Sequence, residues 1–177
     1  MGNSAEHNYT YKKFTTDIIK IADWLKPLRV GYTPYEVEPW EPDLIVSINR
    51  GGLIAGVYLS HALNLPHYPL HYQTRDGDNK MLFHKPEGFD KNKNILLVDD
   101  INDSGKTFTR IIETWECNNI GVAPMKSRIK TAVLFSRYNS KYTVDFSART
   151  LDNDNWIIFP WERVYNEKDN VDGIKQR

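Results

Sequence analysis

The residues of this chain best suited to chemistry lie between Ile95 and Phe108, in the run Ile-Leu-Leu-Val-Asp-Asp-Ile-Asn-Asp-Ser-Gly-Lys-Thr-Phe. Asp99 and Asp100 follow four apolar residues. Two neighbouring carboxylates at a buried edge repel each other and lose hydration, so hydroxyl groups or a cation must satisfy them. Three positions on, Asp103-Ser104-Gly105-Lys106-Thr107 offers two hydroxyls, an ammonium and a glycine at the opening of an amphipathic segment. Amides at a helix start bind anions, aided by the helix dipole, and glycine lets the backbone approach one closely. Taken alone, the turn serves equally as an ordinary helix start capped by Asp or Ser. It is not a nucleoside triphosphate loop, because Asp100 stands where that motif requires glycine. Acids for hydroxyls beside donors for a phosphate are what a sugar phosphate needs.

Two further stretches carry chemistry. In Ser47-Ile-Asn-Arg-Gly-Gly-Leu53, Arg50 presents a fixed fork of donors that suits phosphate oxygens, and Gly51 and Gly52 leave backbone amides accessible. Alone, it is a strand-to-helix turn with an exposed arginine. In Trp156-Ile-Ile-Phe-Pro-Trp-Glu162, the two indoles serve either core packing or a flat ligand. The histidines do not cluster at zinc spacing; His67 and His71 share a strand face, but two ligands are too few. Asp76-Gly-Asp-Asn opens like a calcium loop and fails, with Lys80 and Met81 at positions needing a ligand and a glycine.

These segments need a scaffold. Phe14, Ile18, Ile21, Trp24 and Leu25 have helical spacing from about Thr10 to Leu28, with Pro27 marking the end. Residues 31–42 read as an extended connector. Asp43–Ile48 is a buried strand, Leu53–Leu63 a helix, and His67–Tyr72 a strand that Pro69 demotes toward an edge. Thr74–Asn94 is a long polar loop, functional or mobile by its length. Strand Ile95–Val98 and a helix from about Lys106 to Cys117 follow, then strand Lys130–Ser136. Residues 141–162 mix strand-like and turn-like pieces, and the tail beyond is polar. Strand–helix alternation predicts a parallel sheet covered by helices, with ligands at the carboxyl ends of its strands.

Composition narrows the function classes. The 177 residues suit one domain, and 40% apolar with 26% charged residues is a globular balance. Zero formal net charge gives no field toward nucleic acid or a membrane surface, so neither is an expected partner. Cys117 is the only cysteine, which excludes an intrachain disulfide. The first residues lack an apolar core, and the chain reads as cytoplasmic.

The window Ile95–Thr107 resembles the phosphoribosyl pyrophosphate motif of type I phosphoribosyltransferases: a hydrophobic run, two acids, a variable pair, then acid–hydroxyl–Gly–any–Thr. Ser47–Leu53 resembles that family's pyrophosphate loop, and Trp156–Glu162 repeats the Trp-Ile-x-x-Pro-Trp-acid spacing of bacterial xanthine–guanine enzymes. The resemblance, covering about residues 43–162, implies an α/β fold of the type I phosphoribosyltransferase kind. That fold is a mainly parallel sheet flanked by helices, with a core over about 30–140 and a small hood over about 141–165 to which the N-terminus can contribute. It implies that Asp99 and Asp100 bind the ribose hydroxyls directly or through Mg2+, and that Asp103, Ser104, Gly105, Lys106 and Thr107 cradle the 5′-phosphate, with Asp103 as general base. It implies Arg50 and Gly51 on the pyrophosphate, with a non-proline cis peptide before Gly51. Trp156 would stack on a purine and the Ile157 backbone would read its edge; Glu162 would join Asp99 and Asp100 as a metal residue. Arg137 replaces the lysine that usually meets the purine 6-oxo group. A mobile lid falls in the long polar loop, with Thr74 and Arg75 as weak catalytic candidates. The implied reaction joins hypoxanthine, guanine or xanthine to phosphoribosyl pyrophosphate, in a homo-oligomer, dimer or tetramer. A phosphoribosyl-binding regulator without turnover, and a pyrimidine-specific enzyme, stand as alternatives.

Overall fold

The computed structural model describes residues 6–29, 40–72, 81–83, 92–117 and 128–165. Six strands form the main sheet: β2 (Leu44–Asn49), β3 (His67–Tyr72), β4 (Met81–Phe83), β5 (Ile95–Asn102), β6 (Ile129–Arg137) and β7 (Phe146–Leu151), in the order β4-β3-β2-β5-β6-β7. All neighbours are parallel except β3 and β4. A small second sheet pairs β1 (Glu6–Asn8) with β8 (Trp156–Ile158). The helices are α1 (Tyr11–Arg29), α2 (Gly52–Leu63) and α3 (Lys106–Cys117), with a 3-10 helix over Pro160–Tyr165. No helix among the described residues is long and apolar enough to cross a membrane.

Strand period decides the layers. Ile45, Leu96, Val98, Ala132 and Leu134 face one side and bury Phe14, Ile18, Ile21 and Leu25 of α1 with Ala55 and Leu59 of α2. The alternate residues Val46, Ile48, Ile95, Leu97 and Val133 face the other side and bury Phe108, Ile111, Ile112 and Trp115 of α3. Strands covered on both faces read as continuous apolar runs rather than as alternation. From β2 the chain crosses through α2 to β3, on one side; from β5 it crosses through α3 to β6, on the other. The strand order therefore reverses between β2 and β5, and the crevice outside their carboxyl ends is where such sheets bind ligands.

Several expectations need correction. The strand predicted over Ile95–Val98 continues to Asn102: β2 pairs β5 only as far as Ser47↔Val98, while β6 pairs it to Asn102↔Ser136. The acids are thus inside a strand rather than after it. Pro69 is not on an edge strand, since β4 lies outside β3; β4 pairs only Leu70–Tyr72, so the ladder beyond β3 asks no donor of Pro69. The long polar loop contains β4, a strand its composition hid. Thr74, Arg75, Asp76–Asn79 and the connector 31–39 lie outside the described residues. Helix α1 runs through Pro27 to Arg29.

Candidate functional site

β2 ends at Asn49, and the peptide bond to Arg50 is cis, one bond before the position expected for it. Arg50 and Gly51 turn the chain into α2, with the Leu53 amide donating to the Arg50 carbonyl at 3.2 Å. The turn folds directly onto β5. A Cβ on Gly51 would collide with the Asp100 carboxylate, and one on Gly52 would sit 2.6 Å from the Val98 carbonyl oxygen. Both positions therefore require glycine for close approach.

Asp99 is 8% exposed. Its Oδ1 accepts the Asp100 amide at 2.9 Å, and the Gly52 amide also donates to its carboxylate. Asp100 Oδ1 accepts the Ile101 amide at 2.7 Å. Burial, and then the charge of Asp100, push Asp99 well above the usual carboxylate range; a hydrogen bond between the two carboxyls favours the proton on Asp99. Burial likewise raises Asp100 to about 6, and the charge of Glu162 adds to it. That influence brings Glu162, far along the chain, electrostatically to the acid pair. Glu162 also accepts the Phe159 amide at 3.0 Å, capping the 3-10 helix. The Oδ1 of Asn49 is buried with no hydrogen-bond partner among the described residues.

The turn after β5 is braced from below. Gly105 has φ +81°, and its Cα sits against the Tyr142 backbone. Lys141 donates its amide to the Ser104 carbonyl at 3.3 Å. Asn102, 1% exposed, donates Nδ2 to the Tyr142 carbonyl at 2.8 Å and to Ser136 Oγ at 3.1 Å, and accepts Ser140 Oγ at 3.0 Å. Asn102 fell in the variable pair of the motif, and nothing in its type or spacing marked it. No acceptor for the amides of Ser104 to Thr107 is found among the described residues, as expected at a helix start whose first donors lack intrahelical partners. Ser104 and Lys106 are exposed, and Thr107 is half-buried.

Arg137, at the end of β6, is nearly buried. Its Nε donates to Asp103 Oδ1, its Nη1 to the Asn153 carbonyl, and its Nη2 to the Asn155 carbonyl at 3.0 Å. One guanidinium thus joins the turn after β5 to the segment entering β8. Trp156 is 58% exposed, whereas Ile157 is buried. Arg50, Gly51, Asp99, Asp100 and Asp103–Thr107 are thus gathered at the carboxyl ends of β2 and β5. Arg137 connects that group to the Trp156 strand. Among the described residues no group of three or more His, Cys, Asp and Glu is placed to enclose a metal by itself. A donor set of two adjacent carboxylates fits a hydrated oxygen-seeking cation that also takes ligand oxygens.

Residues 32–168 match the phosphoribosyl transferase domain family. The curated xanthine-guanine phosphoribosyltransferase of Cereibacter sphaeroides is 25% identical over 124 residues, covering 67% of this chain and 68% of that protein. Among solved structures, a purine phosphoribosyltransferase from Pyrococcus horikoshii superposes with TM-score 0.66 at 28% identity, covering 89% of this chain and 93% of the other. The xanthine-guanine-hypoxanthine phosphoribosyltransferase of Helicobacter pylori gives TM-score 0.66 at 24% identity over 89% and 94%, a likeness of fold.

Proposed function

The chain belongs to the phosphoribosyl transferase domain family, and from that premise we propose that it transfers the ribose 5-phosphate of phosphoribosyl pyrophosphate to a 6-oxopurine: hypoxanthine, guanine or xanthine. A purine ring nitrogen bonds to the ribose C1′, the bond from C1′ to pyrophosphate breaks, and the purine loses a proton. The observation that carries this reading is the β2–β5 crevice, where the acid pair, the Gly51-Gly52 turn and the open amides of Ser104–Thr107 converge.

In this reading Asp99 and Asp100 hold the ribose hydroxyls, and the Ser104–Thr107 amides and hydroxyls hold the 5′-phosphate at the positive end of α3. Arg50 and the Gly51 amide face the leaving pyrophosphate. Asp103 accepts the purine proton. Trp156 lies over the purine, a stack worth on the order of 1–3 kcal/mol. Ile157 presents its backbone to the ring edge, and Arg137 orients Asp103 while its remaining N–H groups are directed at a 6-oxo acceptor. Mg2+ would be held by Asp99 and Asp100, with Glu162 close enough for its charge to act on Asp100. When bound, it neutralises charge on the departing pyrophosphate. A cation held there would also offset the burial that raises both acids, the charge of Asp100 that raises Asp99 and the charge of Glu162 that raises Asp100. The β1–β8 sheet and the 3-10 helix form the hood of the base pocket, and positioning and fixed dipoles supply most of the rate.

The test is direct. Purified protein with Mg2+ and phosphoribosyl pyrophosphate is given each of hypoxanthine, guanine, xanthine, adenine, uracil and orotate, and nucleotide is resolved by chromatography. Nucleotide from at least one oxopurine, and little from adenine or the pyrimidines, is expected. Turnover confined to a pyrimidine, or none with any base, would refute it.

A further inference from the structure

Trp156 presents most of its ring to solvent, so side-chain packing does not fix where it stands. Its backbone is held by β1, through Glu6↔Trp156, His7↔Ile157 and Asn8↔Ile158. A two-stranded ribbon this short is not stable by itself, so β1 must be fastened elsewhere. The fastening is the next residue. Tyr9 is fully buried, and its amide reaches the Ile158 carbonyl at 3.4 Å. Its ring meets Phe135 of β6 at 4.8 Å and Phe159 at 5.8 Å, both edge-on. Its hydroxyl donates to Asp17 Oδ2 at 2.7 Å.

Asp17 is a fully buried carboxylate on α1. Besides Tyr9 it accepts Lys20 Nζ at 2.8 Å and Arg149 Nε, the latter from β7 and 132 positions away. The Arg149 guanidinium also lies 5.8 Å from the Tyr9 ring centroid. One carboxylate thus ties together α1, β7 and the segment that carries β1. Buried ion pairs seldom repay their desolvation better than packed apolar groups would, so stability alone is a poor reason for one here. A charged brace differs from a greasy contact in fixing direction as well as distance.

Resting on the transferase reading above, we infer that Tyr9, Asp17 and Arg149 are positioning residues for base recognition: a buried ionic brace that sets where Trp156 stands over the purine. None of the three belongs to the β2 or β5 loops, so the brace acts on the base half of the site and leaves the sugar-phosphate half alone.

The experiment is a split of Michaelis constants. Asp17→Asn, Tyr9→Phe and Arg149→Lys are compared with the wild type, varying the oxopurine at saturating phosphoribosyl pyrophosphate and then the reverse, with thermal melts alongside. Losing a charged hydrogen bond from the brace raises the oxopurine KM about fivefold or more in Asp17→Asn. The KM for phosphoribosyl pyrophosphate and kcat stay within about twofold, the scatter expected of an untouched interaction. Tyr9→Phe keeps the ring and its edge contacts, so it moves the base KM in the same direction by less. Arg149→Lys keeps the charge but not the planar fork that aims Nε at Asp17, so it raises the base KM in the same direction by less than Asp17→Asn. An unchanged base KM in the folded variants, or a parallel rise in both constants, overturns the brace and leaves only a contribution to stability. If Asp17→Asn does not fold, Tyr9→Phe decides by the same criterion. A wild type without transferase activity would instead overturn the proposed function, and this inference with it.

Discussion

Replacing Asp100 by Asn should make the unliganded protein more stable while disabling its ligand site. Burial raises Asp100 from 3.8 to about 6, a shift of about 2 units, so ionising it in the folded state costs about 3 kcal/mol at most. The sign follows from proton linkage. An acid whose folded-state value lies above its unfolded value binds more protons when folded, so stability is full below about pH 4 and is lost as pH rises through about 6. Asp99 is shifted in the same direction and deepens the loss. The substituted amide carries no charge to desolvate and none to repel Asp99 or Glu162. At pH 7.5 the variant should gain about 1–3 kcal/mol, or about 3–10 °C in melting temperature for a chain of this size. At pH 4.5, where the wild-type acid is already protonated, the gain should fall below about 1 kcal/mol. The assay is thermal and urea unfolding of both proteins at several pH values, with and without Mg2+ and phosphoribosyl pyrophosphate. The ligands should raise the wild-type melting temperature and do little for Asp100→Asn. A variant no more stable than wild type at pH 7.5, or a gain that ignores pH, refutes the claim that burial and like charge strain the acid pair.

Three other outcomes follow from the geometry. Gly105→Ala places a Cβ at φ +81° and against the Tyr142 backbone, so it should lose at least about 1–2 kcal/mol in urea unfolding and weaken phosphoribosyl pyrophosphate binding. Arg137→Ala frees Asp103 and the carbonyls of Asn153 and Asn155 together; kcat/KM for the oxopurine should fall by about tenfold or more, the worth of a charged hydrogen bond. Calorimetry of that variant should show phosphoribosyl pyrophosphate affinity nearly intact. Trp156→Ala should raise the oxopurine KM by about 5- to 100-fold, matching a lost stack of on the order of 1–3 kcal/mol, with Trp156→Phe intermediate in the same kinetic assay.

The sheet and the gathering of Arg50, Asp99, Asp100 and Asp103–Thr107 at the carboxyl ends of β2 and β5 were legible because their signals are local. Four apolar residues, two acids and a hydroxyl–glycine turn occupy one short window, and a strand followed by a helix start places them without help from distant residues. The helical spacing of Phe14, Ile18, Ile21 and Leu25 was likewise sufficient for α1. What escaped depends on partners remote in the chain. The β5 strand runs past Val98 because β6 continues beside it, and Pro69 is tolerated inside the sheet because β4 stops short of it. The bonds of Arg137 to Asp103 and to the Asn153 and Asn155 carbonyls, beside its expected role as a purine donor, exist only once the segment after β7 folds back. Asp17 stands three residues after Phe14 and four before Ile21, on the apolar face of α1, but only the fold brings its partners Tyr9 and Arg149 to it.

The central claim is that the carboxyl ends of β2 and β5 grip an activated pentose by its diol and its phosphates. Isothermal titration of phosphoribosyl pyrophosphate into wild type and into Asp100→Asn, each with and without Mg2+, tests it most directly. One site per chain, tight only with Mg2+, competed by pyrophosphate and lost in the variant, is the expected result. Absence of binding to the wild type, or equal binding to the variant, would contradict the account.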